Sequence, residues 1–526
     1  MRYIALIIVM MGVLGLAACG GGSGSTAAPD DSGGEKGAPT VGGTLKAARA
    51  ADAQNWDPAQ VNENDSIWAS FQVTGNLIMT SPDGTEFEPY IAQSWTISDD
   101  GLIYTFQIDP AAKFCDGSPI TGSDVVYSFN RASNKDAVVS WQYPADMKID
   151  SPDPATVVIT LPEANVSFLS YLTLWGTGIV SEKYATEVGD EGLAAKPLGS
   201  GPFCLKSWER GSQITLVRNE NSWLKDSEGV TLPYLDQIDW TIVKDDNARL
   251  AELQSGQVDV DTTVSPAQYG SLDGVPGIVA GESPLLGTIS LFTNLKNPAL
   301  ADKNVRQALN YATDKQSIID GVLFGRGKPG MSSLSMANYT NESFGYPFDL
   351  AKAQELLAAS AYPKGFPITV TYVGGNSVSE QSLTILKDQW SKLGVDLTLK
   401  AIEEGVYWDT WSAGDFELIW VKGTNDIFDP AENLHFNMMG KEGGSDSGFT
   451  GYSDLALNKL VLEAEKETDA VKRQALYDQI QETYMADGPQ VYLFHPLNLW
   501  ATTDKVGGFE VYKTGLHPFW NTYLKK

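Results

Sequence analysis

The sequence predicts an α/β protein built from more than one domain. Strand and helix patterns mix along its whole length, and no short repeat runs through it, which argues against a solenoid. The chain has 526 residues, whereas a single hydrophobic core rarely grows beyond about 250–300 residues. Hydrophobic residues make up 42% and charged residues 20% of the sequence. This ordinary globular composition excludes a wholly disordered chain.

The chain is strongly acidic. It has 37 Lys and Arg residues against 66 Asp and Glu residues, a formal net charge of -29. This balance argues against nucleic-acid binding, which needs a dense basic surface, and against a protein that lies flat on anionic lipid. We interpret the charge as a solubilising surface rather than as a dedicated cation site.

The first 19 residues have the pattern of an export signal. Arg2 precedes an apolar run of about a dozen residues, which is too short to span a membrane because a spanning helix needs about 20. The run ends in Leu-Ala-Ala-Cys at residues 16–19. Small residues before a cysteine resemble the lipobox of bacterial lipoproteins, and this resemblance implies that lipid is attached to Cys19. The alternative is an ordinary secretory peptide with an incidental cysteine.

A flexible tether is expected to follow the signal. Residues 20–40 are mostly Gly, Ser, Ala, Pro and Asp, a composition that cannot bury a core. The folded body is therefore expected to begin near Val41.

The remaining cysteines, Cys115 and Cys204, form an even pair. In an exported protein such a pair predicts a disulfide. Two separate buried thiols are the alternative, because the sequence does not give the distance between them.

Strand patterns dominate the start of the body. Residues 43–47 predict a short opening strand, and Ile103–Ile108 alternates with period two, as a half-buried strand does. Residues 114–119 predict a turn. Thr121 or Ser123 can then cap the helix that follows.

Helix patterns become more frequent farther along. Apolar residues recur at helical spacing over residues 302–322, and Asp349 can cap another helix. Residues 367–373 predict a strand. Ser453 and Asp469 are expected to cap two long helices near the end of the chain.

An ordered block of short motifs lies in the first third of the body. The motifs are Ile-Ala-Gln-Ser-Trp (91–95), Asp-Asp-Gly (99–101), Tyr-Thr-Phe (104–106), Phe-Cys-Asp-Gly (114–117) and Asp-Val-Val-Tyr-Ser (124–128). This block resembles the signature region of the large solute-binding proteins of ABC importers. The resemblance is to the peptide/nickel-binding group, family 5 of the extracellular solute-binding proteins. The sequence departs from the family at Cys115, where histidine, serine or asparagine is common, and at Gly122, where alanine is usual.

The resemblance continues along the rest of the chain. Further matching segments are Gly-Ser-Gly-Pro-Phe (199–203), Leu-Pro-Tyr-Leu-Asp (232–236), residues 253–259, residues 305–309 and residues 312–315. Each segment alone is a weak signal. Their common order along the chain is specific.

The resemblance implies a two-lobed, hinged periplasmic-binding-protein fold of type II with an extra inserted domain. Lobe I is expected to be discontinuous and to comprise residues 41–62, 196–282 and 489–526. The inserted domain, domain II, covers residues 63–195 and is attached to lobe I, and lobe III covers residues 283–488. Ligand is expected between the lobes as they rotate together.

Asp426 is the first candidate for holding the ligand. In peptide binders of this family, an aspartate three residues before an acidic-Pro pair often holds the ligand's α-amine, and Asp426 stands in that relation to Asp429 and Pro430. A buried ammonium needs a carboxylate partner. The alternative is a surface or helix-capping aspartate. Asp429 itself is expected to cap the helix after Pro430.

Lobe I and the start of lobe III offer further candidates. Residues 51–54 resemble the family segment that lines the cleft, and their candidate ligand-binding side chains are Asp52 and Gln54. Their backbone could pair with an extended peptide as an added strand. Asn294, on the strand that opens lobe III, is a weaker candidate.

Aromatic residues are frequent near Asp426 in sequence. Tyr407, Trp408, Trp411 and Trp420 are candidate walls for peptide side chains or for sugar faces, with ordinary core packing as the alternative. Some oligopeptide binders carry an arginine where this chain has Trp420. Lys422 is nearby but not equivalent, so a salt bridge to a ligand carboxylate is not predicted and oligosaccharide binding stays open.

The sequence gives little support to an enzyme or a metalloprotein. The glycine spacing of residues 325–330 follows a helix and contains a proline, unlike a dinucleotide site. Asp-Ser-Gly occurs at residues 31–33, within the tether, and at 446–448, and there is no Gly-x-Ser-x-Gly elbow. A glycosidase needs only two well-placed carboxylates, so counting acids does not exclude one. The histidines, which lack zinc-site spacing, are His435, His495 and His517.

The sequence therefore predicts an extracytoplasmic, lipid-anchored solute-binding protein that delivers its ligand to the permease of an ABC importer. Closure of the hinge around the ligand is the expected mechanism. Peptides are the first ligand class, and oligosaccharides and chelated metals such as nickel complexes come next. The expected protein is a monomer without a cofactor and without catalytic residues. A secreted hydrolase, or a surface adhesin or sensor without a permease, is the rival prediction.

Overall fold

The computed structural model describes residues 39–336, 339–439 and 449–526. Within these ranges the strands are β1 (Thr44–Arg49), β2 (Ile78–Thr80), β3 (Phe87–Pro89), β4 (Ala92–Ile97), β5 (Ile103–Ile108), β6 (Lys148–Asp153), β7 (Thr156–Thr160), β8 (Phe203–Glu209), β9 (Gln213–Arg218), β10 (Gln237–Ile242), β11 (Val260–Asp261), β12 (Ile278–Pro284), β13 (Gly287–Thr293), β14 (Gly327–Pro329), β15 (Pro367–Val373), β16 (Asp396–Ile402), β17 (Leu418–Thr424), β18 (Gln490–Thr503), β19 (Val506–Gly507) and β20 (Tyr523–Leu524). The α-helices are α1 (Asn64–Val73), α2 (Gly122–Ala132), α3 (Phe168–Tyr171), α4 (Glu182–Ala195), α5 (Asp246–Ser255), α6 (Pro266–Tyr269), α7 (Pro298–Ala301), α8 (Lys303–Tyr311), α9 (Lys315–Val322), α10 (Leu350–Ala358), α11 (Ser377–Ser391), α12 (Glu404–Ser412), α13 (Ala431–Asn437), α14 (Leu455–Ala464) and α15 (Ala470–Asp487). The predicted signal peptide with Cys19, nearly all of the tether and the 446–448 triplet lie outside the described residues. None of the helices described is long and apolar enough to cross a membrane.

One long sheet runs through both lobes. Its strand order is β16-β15-β17-β13-β18-β11-β1-β10-β9-β8. The first part of β18 pairs antiparallel with β13 and β14, and its second part pairs antiparallel with β11 and β12. The two halves are therefore joined by this continuous strand and by the short connection from β12 to β13. This is the two-lobed α/β architecture that the resemblance implies.

Domain II has a sheet of its own, with the order β4-β5-β7-β6. Its apolar side chains form a separate core under α2 and α3. Two residues that follow β17 in lobe III also belong to this core, because Ile427 and Ala431 are 0% exposed and pack among its side chains. The loop after β17 is thus fixed to domain II by buried apolar contacts.

Both faces of the lobe III sheet are covered. Leu291 and Leu418 point to the cluster under α8, α9 and α11, whereas Phe292 and Ile419 point to the aromatic cluster under α12. Alternate residues of β13 and β17 therefore reach opposite faces, as the period of a strand requires.

Local hydrogen bonds set several helix boundaries. The predicted helical segment 302–322 splits into α8 and α9, because Thr313 donates its hydroxyl back to a helix carbonyl and Asp314 accepts an N–H of the first turn of α9. The expectation that Ser453 caps α14 is wrong, since Asp454 accepts the N–H groups there. The caps expected for α10 and α15 are formed.

Both departures from the family motifs have a structural reason. Cys115 and Cys204 form a disulfide with their Cα atoms 6.0 Å apart, which ties domain II to β8 of lobe I. A Cβ atom at Gly122 would lie 2.2 Å from the Ser151 hydroxyl and 3.0 Å from the Thr156 carbonyl, so alanine does not fit without a shift.

Candidate functional site

Asp426 lies in the loop between β17 and α13, at a cavity between lobe III and the rest of the protein. The cavity is lined from lobe III by Asp426, and from α1, domain II and the C-terminal segment by Trp68, Phe71, Asn76, Ile78, Met79, Thr80, Tyr90, Thr173, Tyr512, Thr514, Leu516 and Trp520. Most of this lining is apolar or aromatic. A single carboxylate therefore faces a wall of low polarity.

A second carboxyl group supports Asp426 from behind. Glu432 Oε2 accepts the backbone N–H groups of Asp426 at 2.6 Å and of Ile427 at 3.2 Å, which places its carboxyl group beside Asp426. Burial raises the pKa of Asp426 to about 7. Burial, together with the charge of Asp426, raises the pKa of Glu432 well above its ordinary value. Glu432 could not be identified from the sequence, because only the folded loop brings its carboxyl group back to Asp426.

Two polar groups of the cavity wall have no hydrogen-bond partner among the described residues. They are the indole Nε1 of Trp68 and the hydroxyl of Tyr90. Buried polar atoms normally find a partner, since leaving one unpaired costs about 1–3 kcal/mol. Both belong to residues that line the same cavity as Asp426.

Asp429 is a structural residue. Its Oδ1 accepts the N–H of Ala431, the first residue of α13, at 2.9 Å, as expected for a cap. It also accepts a hydrogen bond from Ser167 of domain II at 2.9 Å and forms an ion pair with Arg473 at 2.9 Å. Asp429 thereby fixes the loop that carries Asp426.

A second polar contact joins domain II to lobe III. The hydroxyl of Tyr171 in domain II donates to Oε1 of Glu465 at 2.8 Å, and Nε2 of His435 lies 2.6 Å from the same oxygen. All three residues are largely buried. This network and the Ser167 contact connect the two parts beside the cavity.

Lys422 faces α1 from the lobe III side. Its Nζ lies 5.6 Å from the ring centre of Trp68, within the range of a cation–π contact. Two residues on along β17, Thr424 donates its hydroxyl to Asn64 at 3.2 Å. Desolvation lowers the pKa of Lys422, yet in the described part of the chain its ammonium group has no hydrogen bond or ion pair. Lys422 is thus a cation that a ligand anion could reach.

The aromatic candidates of lobe III divide into core and wall. Tyr407 is buried, and its hydroxyl donates to the carbonyl of Trp420 at 2.6 Å, so it is a core residue. Trp420 is partly buried, and its ring contacts Phe494 with ring centres 6.2 Å apart. Trp408 stacks on Trp411 at 5.3 Å and is partly exposed.

The stacked pair continues into domain II. Trp411 contacts Phe436 at 5.9 Å, and Phe436 contacts Trp141 of domain II at 6.3 Å. Trp141 in turn contacts Trp175 at 6.1 Å. Sequence analysis missed Phe436, Trp141 and Trp175, because nothing in the spacing of aromatic residues indicates which rings meet across two domains.

Asp52 and Gln54 form their side-chain hydrogen bonds within lobe I. Both carboxylate oxygens of Asp52 accept the indole N–H of Trp208, at 3.0 and 3.1 Å, and Oδ2 also accepts the N–H of Gly211 at 2.7 Å. Gln54 is exposed, and its side chain has a long hydrogen bond of 3.5 Å to the Asp52 carbonyl. The carboxylate of Asp52 therefore orders lobe I.

Asn294 holds a turn within lobe III. It is 4% exposed, and its Nδ2 donates to the carbonyls of Gly414 and Phe416, each at 2.8 Å. Its Oδ1 accepts the N–H of Lys296. Both ends of this amide are used within lobe III, and a ligand contact of Asn294 stays a prediction.

The histidines do not meet. His435 pairs with Glu465, whereas Nδ1 of His495 lies 3.0 Å from the Thr288 hydroxyl, and His517 is buried against Trp240. Over residues 39–336, 339–439 and 449–526, no group of three His, Cys, Asp or Glu side chains is placed to hold a metal ion.

Comparisons with known proteins agree on one family. The family model described as bacterial extracellular solute-binding proteins, family 5, middle, matches residues 86–445. Di/tripeptide-binding protein 1 of Pseudomonas aeruginosa is 26% identical over 90% of this chain and 92% of its own length. Heme-binding protein A of Haemophilus influenzae is 28% identical over 86% of this chain and 87% of its own length. The periplasmic binding protein DppA of Helicobacter pylori, solved with the peptide STSA, has a TM-score of 0.84 and 26% identity, covering 93% of this chain and 99% of its own.

Proposed function

The chain belongs to family 5 of the bacterial extracellular solute-binding proteins, and from this premise we propose that it captures a peptide-like ligand between its lobes and delivers it to the permease of an ABC importer. The position of Asp426 carries the proposal. A carboxylate against an apolar wall is suited to a ligand ammonium, since an unpaired buried charge costs several kcal/mol. The names of related peptide-binding proteins support the same ligand class.

Hinge closure is the proposed mechanism. Lobe III meets α1 through Lys422 and Thr424, and it meets domain II through Tyr171 and Ser167. A ligand stabilises the closed state only by as much as it binds that state better than the open one. A peptide between Asp426 and the opposite wall contacts both sides and so favours closure.

Lys422 is the proposed partner for an anionic group of the ligand, such as a peptide carboxylate. It lies on β17, four residues before Asp426, and has no partner within the described ranges. Replacing Lys422 with Met keeps the length of the side chain and removes its charge. We expect Lys422→Met to weaken binding of a mixed peptide pool but to leave binding of the same pool with amidated C-termini unchanged. An equal loss for both pools would contradict this role.

An oligosaccharide is the second candidate ligand. The observation that favours it is the stacked pair Trp408 and Trp411, of which Trp408 is partly exposed and has an indole N–H with no partner in the described chain. Aromatic faces can stack on sugar rings as well as on peptide side chains. We propose no catalytic step for either ligand.

The proposed location is the outer face of the cell membrane, with lipid on Cys19 as the anchor. The proposal is based on the sequence of residues 1–19. Replacing Cys19 with Ala should release the protein from the membrane fraction and abolish its labelling by a fatty acid. Continued labelling of Cys19→Ala would contradict the lipid anchor.

A thermal-unfolding screen tests the ligand class. The panel holds a mixed di- to hexapeptide pool, oligosaccharides and nickel chelates, because a ligand that binds only the folded state raises Tm with its concentration. Asp426→Ala should abolish the shift caused by peptides. The matched control is Asp388→Ala on α11, whose side chain is 76% exposed and far from α13 in sequence. A Tm shift with oligosaccharides alone would instead favour a sugar site at the stacked pair Trp408 and Trp411.

A further inference from the structure

Glu432 occupies a position from which it can control the charge of Asp426. It is the second residue of α13 and is 5% exposed. Its Oε2 already accepts two backbone N–H groups, from Asp426 at 2.6 Å and Ile427 at 3.2 Å. The Glu432 carboxyl group therefore lies beside Asp426, and within the described ranges neither carboxyl group forms an ion pair with a cation.

Two neighbouring carboxyl groups in a buried site without a cation favour a state in which one of them is protonated. Two negative charges side by side there would repel each other strongly, and two ionised carboxylates, which have only acceptors, cannot hydrogen-bond to each other. Because Oε2 of Glu432 is used as an acceptor by the backbone, its other oxygen is the one free to carry the proton towards Asp426.

We propose that Glu432 is a positioning residue which, as a neutral acid, donates to the Asp426 carboxylate and makes the pair present one negative charge to the ligand. This inference rests on the proposed function, in which Asp426 holds the ligand ammonium. Glu432 orients the carboxylate, and the backbone bonds to Glu432 keep the loop in place. The pair then favours a ligand that places one ammonium group beside Asp426 over a ligand that places a neutral group there.

The surroundings of the pair are otherwise nearly free of charge. The cavity wall opposite Asp426 contributes two titratable groups, the phenols of Tyr90 and Tyr512. Tyr90 is 6% exposed and, among the described residues, its hydroxyl has no partner.

The charged groups nearest in the chain are already paired. Asp429 is bound to Arg473, and His435, three residues after Glu432 on α13, is bound to Glu465. Lys422 precedes the loop on β17 and faces Trp68. None of these groups forms a hydrogen bond or ion pair with Glu432 within the described ranges, so the proton of the pair is governed by Asp426 and Glu432 themselves.

The pH dependence of binding follows from the pair. The ammonium needs an ionised Asp426, and burial raises the pKa of this group to about 7. Binding of a peptide ammonium should therefore weaken about tenfold for each pH unit below that value, and it should weaken again above about pH 8, where the peptide α-amine loses its proton. A proton leaves Asp426 for the solvent when a peptide binds below pH 7, and Glu432 keeps its own.

Three variants test the inference. Glu432→Gln retains an oxygen for the two backbone N–H groups and gains an N–H that can donate to Asp426, so it should bind a mixed di- to hexapeptide pool within about threefold of the wild type. Glu432→Ala removes both interactions and should lose at least about tenfold, consistent with a charge-assisted hydrogen bond of about 1.5–3 kcal/mol. Asp426→Asn should weaken binding strongly, and the binding that remains should no longer decline as the pH falls from 7 to 5.

A measurement without ligand separates positioning from folding. In infrared spectra of the peptide-free protein at neutral pH, the protonated-carboxyl band should be stronger than in Glu432→Gln by the contribution of about one group, above the contribution of Glu63, whose pKa burial raises to about 8. The inference is overturned if that band is unchanged, if Glu432→Gln loses as much affinity as Glu432→Ala, or if Glu432→Ala binds like the wild type with the same pH profile. If Asp426→Asn binds peptides normally, the proposed amine anchor fails instead. Should Glu432→Ala not fold, the Glu432→Gln affinity and the infrared band still decide the outcome.

Discussion

Removing the hydroxyl of Tyr171 tests whether contacts between domain II and lobe III contribute to closure. Tyr171→Phe deletes one hydrogen bond, from the phenol to Oε1 of Glu465 at 2.8 Å, and leaves the ring in its buried position. We propose that domain II moves with lobe I, so opening of the hinge would separate Tyr171 from Glu465 and break this bond. Because the ligand binds the closed state, free energy that this state loses is lost from ligand binding as well.

The structure sets the size of the effect. A hydrogen bond to a charged group contributes about 1.5–3 kcal/mol. Glu465 keeps His435 at 2.6 Å in the variant, so the loss should fall at the lower end, about 1.5 kcal/mol, which corresponds to roughly tenfold weaker binding. The assay is the concentration of a mixed peptide pool that gives half of the maximal Tm shift.

A matched variant separates closure from stability. The Tyr143 hydroxyl donates to the carbonyl of Gly176 at 2.8 Å, and both residues lie in domain II. Tyr143→Phe should lower the free energy of unfolding by about 1 kcal/mol and leave peptide affinity unchanged. The reasoning is refuted if Tyr171→Phe binds as tightly as the wild type, or if the two variants lose affinity equally.

Three further predictions concern stability. Burial alone would lower the pKa of His435, but the charge and hydrogen bond of Glu465 raise it overall, and the same pairing lowers the pKa of Glu465 against the effect of burial. The pair should therefore stabilise the fold between the two unfolded-state pKa values, and this contribution should be lost as the pH rises through the raised pKa of His435 or falls through the lowered pKa of Glu465. Urea titrations of the wild type and His435→Gln across pH 4–9 should differ in this way, and equal pH profiles would contradict the prediction. Replacing Cys115 and Cys204 together with Ser opens a link across a sequence separation of 89 residues, so the unfolding free energy should drop by about 2–5 kcal/mol, and an unchanged urea midpoint would count against the disulfide. Asn294→Ala leaves two buried carbonyls without their donor and should cost about 1–3 kcal/mol of stability with no change in peptide affinity, whereas a selective loss of affinity would indicate that Asn294 contacts the ligand.

The general architecture could be predicted because it depends on patterns that are local in sequence. Strand alternation and the ordered family motifs gave the α/β class and two-lobed fold. The Asp-x-x-Asp-Pro spacing singled out the loop of Asp426, since that spacing is set by one short turn. Which of two adjacent residues caps a helix was harder to predict. Asp454 caps α14 in place of Ser453, because the choice depends on where the chain turns into the helix.

The surroundings of the site could not be predicted, because they depend on contacts between distant segments. Asn294 resembled a cleft residue, yet its amide is used by two carbonyls about 120 residues later in the chain. Asp52 is bound by Trp208 in the same way. Glu432 lies close to Asp426 in sequence, but only the folded loop brings their carboxyl groups together. In each case the residue type is visible in the sequence but its partner is not.

The central claim is that Asp426 holds the ammonium group of a ligand, and the most direct test compares a mixed di- to hexapeptide pool with the same pool after N-acetylation. Both pools are titrated against the wild type and Asp426→Asn, with the Tm shift as the readout. The account predicts that acetylation abolishes most of the wild-type shift and changes nothing further in Asp426→Asn, so that the two losses are not additive. Equal shifts for free and acetylated peptides in the wild type would contradict it.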